Sequence, residues 1–129
     1  MDKRIYYHDT DAGGVVYYGR YLNYLEEART EFLEGLGLSV DDFAGRGLLY
    51  AVRKLQIQYR SPARYGDVVV CDAGLTKVSA AQLFFAQTIR QKQTGVLVVT
   101  ADVALACLNT QFKPELIPAD LRARLPLAS

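Results

Sequence analysis

From Tyr21 to Leu36 apolar side chains return every three or four residues: Tyr21, Leu25, Ala28, Phe32 and Leu36, widened by Leu22 and Leu33. Asn23, Glu26, Glu27, Thr30, Glu31 and Glu34 fall mostly off that stripe. The spacing predicts an amphipathic helix with one buried face. Gly35 and Gly37 predict its C-terminal stop, because glycine takes the left-handed cap conformation without steric cost. Ser39 predicts the N-cap of a second, short helix over 41–44. Beyond Gly47 the period drops to two. Leu55, Ile57 and Tyr59 alternate with Lys54, Gln56, Gln58 and Arg60, which predicts a strand with one buried face. Ser61-Pro62 breaks it and Tyr65-Gly66-Asp67 turns the chain. Strands follow over 68–78, 83–92 and 96–108, with Thr94-Gly95 as a hairpin turn. A short aromatic strand over 3–8 opens the chain, and a tail holding Pro114 and Pro118 ends in a short helix over 119–124.

The order is strand, helix, then four strands joined by short connections, which favour antiparallel neighbours. That reads as an α+β protein whose five-stranded antiparallel sheet wraps one long helix. A lone sheet leaves two edges open, and pairing between copies would cover one, so a homo-oligomer is expected.

Length and composition narrow the class further. The 129 residues form one domain over 1–129, with no repeat, linker or low-complexity segment. A net charge of +1, with basic residues spread along the chain, excludes a nucleic-acid patch. Cys71 and Cys107 lie in apolar, strand-like stretches without Cys-x-x-Cys spacing. They read as buried thiols, not as a zinc or redox site. The N-terminus has no apolar signal-like region, and no apolar run approaches the ~20 residues of a membrane span. A cytoplasmic protein without membrane insertion is expected.

The segment His8-Asp9-Thr10-Asp11-Ala12-Gly13-Gly14-Val15-Val16-Tyr17-Tyr18-Gly19-Arg20-Tyr21 offers chemistry. A carboxylate can act as nucleophile or general base. The glycines allow close backbone approach by a ligand. Unpaired N–H groups at the helix start can stabilise an oxyanion. Tyr17, Tyr18 and Tyr21 would wall a partly dry pocket around the acid. Spacing alone leaves a second reading open, a loop whose Asp residues make Asx-turns and cap the helix. A calcium loop does not fit, since Val15 to Tyr18 stand where oxygen ligands belong.

Tyr7, Asp9-Thr10-Asp11-Ala12-Gly13-Gly14-Val15-Val16-Tyr17, Tyr21-Leu22 and Glu27-Ala28-Arg29 together resemble the signature of the YbgC-like hotdog acyl-CoA thioesterases, in the 4-hydroxybenzoyl-CoA thioesterase superfamily. Tyr59-Arg60-Ser61-Pro62-Ala63-Arg64-Tyr65-Gly66-Asp67 and Lys113-Pro114-Glu115-Leu116-Ile117-Pro118 are similar to the family's later segments. The resemblance implies a hotdog fold, a homodimer with a continuous sheet assembling into a homotetramer, active sites at the dimer interface, and no metal or cofactor. It also implies a CoA-thioester substrate, while the residues themselves leave open whether CoA or acyl carrier protein bears the acyl group. It puts the catalytic carboxylate on Asp11 and the carbonyl-polarising backbone N–H on Tyr18. Many members carry His at the position of Tyr18. Tyrosine keeps the backbone N–H but supplies no imidazole. The basic turn that grips CoA phosphates in the bacterial 4-hydroxybenzoyl-CoA enzyme is here Lys77-Val78-Ser79-Ala80-Ala81, with one cation, which favours the YbgC-like group.

The expected substrate-binding residues are Tyr7, Gly14, Val15, Tyr17 and Tyr21, with Arg60 and Arg64 for phosphate, which arginine holds bidentately. Asp9 is expected to hold the loop by accepting backbone N–H groups, and His8 to be an ordinary strand-end residue. Two other functions share the pattern. A hotdog dehydratase normally pairs His with an acid, and His8 is badly placed for that. A non-catalytic acyl-CoA or carrier-protein binder gains nothing from a carboxylate beside a thioester.

Overall fold

The computed structural model describes residues 1–126. Its elements are β1 (Asp2–Arg4), α1 (Arg20–Gly35), α2 (Val40–Gly45), β2 (Leu48–Tyr59), β3 (Val68–Val78), β4 (Gln82–Gln91), β5 (Leu97–Asn109) and α3 (Ala119–Arg122). The strands form one antiparallel sheet in the order β1-β3-β4-β5-β2. Its inner face carries Val69, Leu83, Phe85, Ile89, Val99 and Val103, all buried in one core with Tyr21, Tyr24, Leu25 and Ala28 of α1. The Phe32 ring meets Phe85 edge-on at 5.6 Å. The expected α+β hotdog arrangement is therefore the one found.

Register shifts fall between Val52 and Lys54, between Leu75 and Lys77, and opposite Val98. Such bulges bend strands and help a sheet curl. The helix stop is a Schellman motif: Leu38 N–H donates to Leu33 O and Gly37 N–H to Glu34 O, both at 2.9 Å, with Gly37 at φ 77°. Ser39 caps α2, its hydroxyl accepting Asp42 N–H at 3.2 Å while the Asp42 carboxylate accepts Ser39 N–H at 3.1 Å.

Two expectations need correction. The first strand stops at Arg4 instead of reaching His8, because Tyr7–Asp9 closes as a 3-10 turn. Asp9 N–H donates to Tyr6 O at 3.0 Å, and the Asp9 carboxylate accepts Tyr6 N–H at 2.9 Å. The alternating face of β2 is not buried in the single chain. Leu55 is 37% exposed, and Tyr59 is about half exposed. Their strand is the sheet's edge, so one flank has no neighbour.

Candidate active site

The loop from Asp9 to Gly19 folds back on itself before it feeds α1. Asp11 N–H donates to Val15 O at 2.9 Å, and Gly14 N–H donates to Asp11 O at 3.0 Å. The turn needs φ 78° at Gly14, a conformation that favours glycine. Val16 N–H then reaches Ala63 O, and Tyr17 N–H reaches Asp9 O, both at 2.9 Å. Val15 bridges to Arg64 in the segment between β2 and β3. The loop is thus pinned from both sides.

Asp9 and Asp11 end in different surroundings. Asp9 is 3% exposed. Besides Tyr6 N–H, its carboxylate faces Arg20 Nε at 3.4 Å and the exposed His8 ring at 3.5 Å. It holds the loop, as expected of it. His8 sits in the 3-10 turn, stacked on Tyr6, not at a strand end. The buried Tyr24 hydroxyl lies near the Asp9 carboxylate but makes no well-formed hydrogen bond among the described residues. Burial first and the nearby Asp9 charge second raise its pKa. Asp11 is exposed, so the single chain does not form the partly dry pocket expected around it. Its Oδ1 accepts Gly13 N–H at 2.8 Å, and its Oδ2 has no partner among the described residues.

At the helix start Arg20 N–H bonds Tyr17 O at 2.8 Å, whereas Tyr18 N–H meets no acceptor among the described residues. A Cβ at Gly19 would lie 2.9 Å from the half-exposed Tyr17 ring, which would have to shift to admit it. Tyr18 is 63% exposed. Its ring lies 4.7 Å from Tyr17 and 6.3 Å from Tyr59. Tyr21 is buried, and its hydroxyl accepts Ala63 N–H at 3.2 Å. Burial is the main cause raising its pKa.

Val16, Tyr18, Tyr21, Tyr59, Arg60 and Pro62 surround a shallow depression of about 300 Å³. The structure thus brings Tyr18, Tyr21 and Arg60 together. Gly14 stays on the exposed turn, Tyr17 leans on Tyr18, and Arg64 is tied to the loop through its backbone. Tyr7 lies edge-on to Tyr65 at 6.2 Å, outside the depression. Tyr59 is the wall residue that the sequence reading missed. Its alternation with Leu55 and Ile57 pointed to core, and only its place beside the Ser61-Pro62 break hinted at a site. No three His, Cys, Asp or Glu side chains among the described residues are placed to hold a metal ion.

A five-stranded antiparallel sheet curled round one helix, with an acid-glycine loop at the helix start, is the arrangement of the hotdog fold. Residues 6–125 match the thioesterase-like superfamily, and the chain belongs to that family. It is 34% identical over 121 residues to the acyl-CoA thioester hydrolase YbgC of Escherichia coli, covering 93% of this chain and 90% of the relative. It is also 34% identical to the acyl-CoA thioesterase YbgC of Haemophilus influenzae, over 93% of this chain and 88% of that one. Among solved structures, a probable thioesterase from Bartonella henselae is 32% identical with a TM-score of 0.86, over 92% of this chain and 97% of that chain. The protein is a thioester hydrolase.

Proposed function

We propose that this enzyme hydrolyses acyl-CoA thioesters to a carboxylic acid and CoA, with Asp11 as the catalytic carboxylate. The observation that carries the reading is a pair of groups that the pinned loop leaves unused: Asp11 Oδ2 and Tyr18 N–H. The thioester carbonyl accepts the Tyr18 N–H, and the positive end of the α1 dipole favours charge developing on that oxygen. Asp11 then follows one of two routes. It attacks the carbonyl carbon, expelling CoA thiolate and leaving a mixed anhydride that water opens. Alternatively it takes a proton from the water that attacks. Both routes give the same acid and thiol.

The exposed Arg60 beside the depression suits a phosphate-bearing substrate, with Arg64 a short way along the chain. Gly14, Val15, Tyr17 and Tyr21 form or back the surface over which the thioester lies, whereas Tyr7, outside the depression, is left without a substrate contact in this reading. In this reading a second copy pairs along β2, shields Asp11 from bulk water and gives a homodimer, two of which form a homotetramer. A cytoplasmic location goes with it. No helix among the described residues is long and apolar enough to cross a membrane. The two YbgC relatives, which are acyl-CoA thioesterases at 34% identity, support CoA as the carrier, while an acyl-acyl carrier protein thioesterase of Arabidopsis thaliana, 31% identical, keeps the carrier-protein thioesters in the test.

The test is thiol release from a panel of acyl- and aroyl-CoAs and the matching acyl carrier protein thioesters. Turnover of the CoA series supports the proposal. Turnover confined to carrier-protein thioesters, or binding of CoA thioesters without turnover, would overturn it.

A further inference from the structure

Helix α1 and strand β2 run past each other in opposite directions. At one end Tyr18 and Tyr21 meet Tyr59, with ring centroids 6.3 and 5.8 Å apart. At the other, Arg29 and Leu33 face Tyr50 and Val52 across a cavity of about 260 Å³, closed below by Phe43 of α2. Leu22, one turn after Tyr18, and Leu55, four residues before Tyr59 on β2, are both exposed apolar residues. The distance from Tyr18 to Arg29 along the helix is about 16 Å at ~1.5 Å per residue. Side chains on a helix lean toward its N-terminus, which brings the Arg29 guanidinium back toward the tyrosines.

The cavity is mostly apolar, yet one wall is a cation. Arg29 is 7% exposed. Its Nη1 donates to Gln87 Oε1 at 3.0 Å. Gln87 is itself buried and fixed from behind, its Nε2 donating to Leu25 O at 2.9 Å. No carboxylate forms an ion pair with Arg29 among the described residues. Glu26, exposed at the cavity rim, is the acid whose charge bears on it, and burial lowers the Arg29 pKa. A guanidinium carries five donors, and the only side-chain hydrogen bond from Arg29 among the described residues goes to Gln87, so a ligand in the cavity that Arg29 lines could accept from the others. A methyl-ended chain leaves them unpaired in apolar surroundings, which is costly. A carboxylate answers both the geometry and the charge.

We propose that this cavity receives the far end of the acyl group, and that Arg29, held by Gln87, selects acyl groups ending in a carboxylate. The preferred substrates are then monothioesters of dicarboxylic acids, with the thioester at Tyr18 and the free acid at Arg29. This rests on the thioester reading of the loop. Arg29 touches the distal end of the substrate and takes no part in bond breaking.

The experiment compares kcat/KM for chain-length-matched acyl-CoAs that end in carboxylate, hydroxyl or methyl, in wild type and in Arg29→Met. Calorimetric binding of the corresponding free dicarboxylic and monocarboxylic acids is measured alongside. The proposal predicts a wild-type preference for the carboxylate-ended chain of at least about tenfold, the low end of what a buried polar group left unpaired by the wrong ligand costs. Arg29→Met abolishes that preference, so that carboxylate-ended and methyl-ended thioesters show equal kcat/KM. A wild-type ratio near one overturns the proposal while leaving hydrolysis standing, as when a second copy's carboxylate already occupies the cavity. That ratio decides even if Arg29→Met does not fold. A preference that survives Arg29→Met also overturns it. Failure to turn over any CoA thioester, with dicarboxylic acid binding that Arg29→Met loses, would sink the CoA reading and keep the cavity.

Discussion

Asp9 accepts Tyr6 N–H and faces Arg20 in a buried turn, whereas Asp11, two residues on, accepts Gly13 N–H and keeps one oxygen free at the surface. Replacing Asp9 by Ala strands the Tyr6 N–H and the Arg20 guanidinium, and the cost is that of a charge-assisted hydrogen bond, about 1–3 kcal/mol. Urea denaturation measures it, and an unchanged midpoint would contradict the structural role given to Asp9. Gly19→Ala sets a methyl 2.9 Å from the Tyr17 ring, which must move. Since the Tyr17 ring leans against Tyr18 at 4.7 Å, the expected outcome is a lower kcat with little loss of stability, read from steady-state rates and a melting curve. The Asp-x-Asp-x-Gly-Gly spacing was legible as chemistry in the sequence. A loop-holding role for Asp9 was legible too, whereas its contact with Arg20, eleven residues on, was not.

Strand β2 shows why the sequence revealed only half of an element. Tyr50 and Val52 face the cavity before Arg53, while Leu55, Ile57 and Tyr59 share a face after it. The register shift between Val52 and Lys54 switches the alternation from even to odd positions, so the period is readable only beyond the bulge. Helix α1 had no such interruption, and its stripe and glycine stop were read within one or two residues of the true ends. The opening strand was overextended because its aromatic residues fit a strand, while the turn that ends it depends on Asp9. Helix α2 rests on a reciprocal cap, with the Ser39 hydroxyl on Asp42 N–H and the Asp42 carboxylate on Ser39 N–H. Ser39→Ala is expected to cost about 1 kcal/mol. Thermal unfolding tests it, and an unshifted transition would contradict the cap's contribution.

For the whole molecule, the open flank of β2 is the feature that one chain leaves unfinished. Val52 is 52% exposed, and Leu55 and Tyr59 continue the apolar edge. Pairing between two copies would bury this edge, and Leu55→Lys would set like charges against each other there. Solution scattering is expected to give at least twice the chain mass for wild type and a smaller, less active species for Leu55→Lys; a monomeric wild type refutes the assembly. Acid stability has its own signature. Asp2 beside Lys92, Asp42 hydrogen-bonded to Ser39, and Asp120 beside Arg46 all have pKa values held below 3.8. Groups lowered in the folded state add stability that is present above 3.8 and is lost as pH falls through their folded values. All three are at the surface, so high salt should weaken the effect. Melting temperature is expected to hold steady down to about pH 4 and fall below it, less steeply in concentrated salt. A fall that begins near neutrality would show other groups in control.

The central claim is that Asp11 does the chemistry, and the most direct measurement is kcat for thiol release by Asp11→Asn on the best CoA thioester. Asparagine keeps the acceptor for Gly13 N–H and removes the nucleophile and base. The expected result is a fall of about 10²–10⁴ in kcat, with the melting temperature unchanged. An Asp11→Asn enzyme that turns over at the wild-type rate would place the catalytic carboxylate elsewhere.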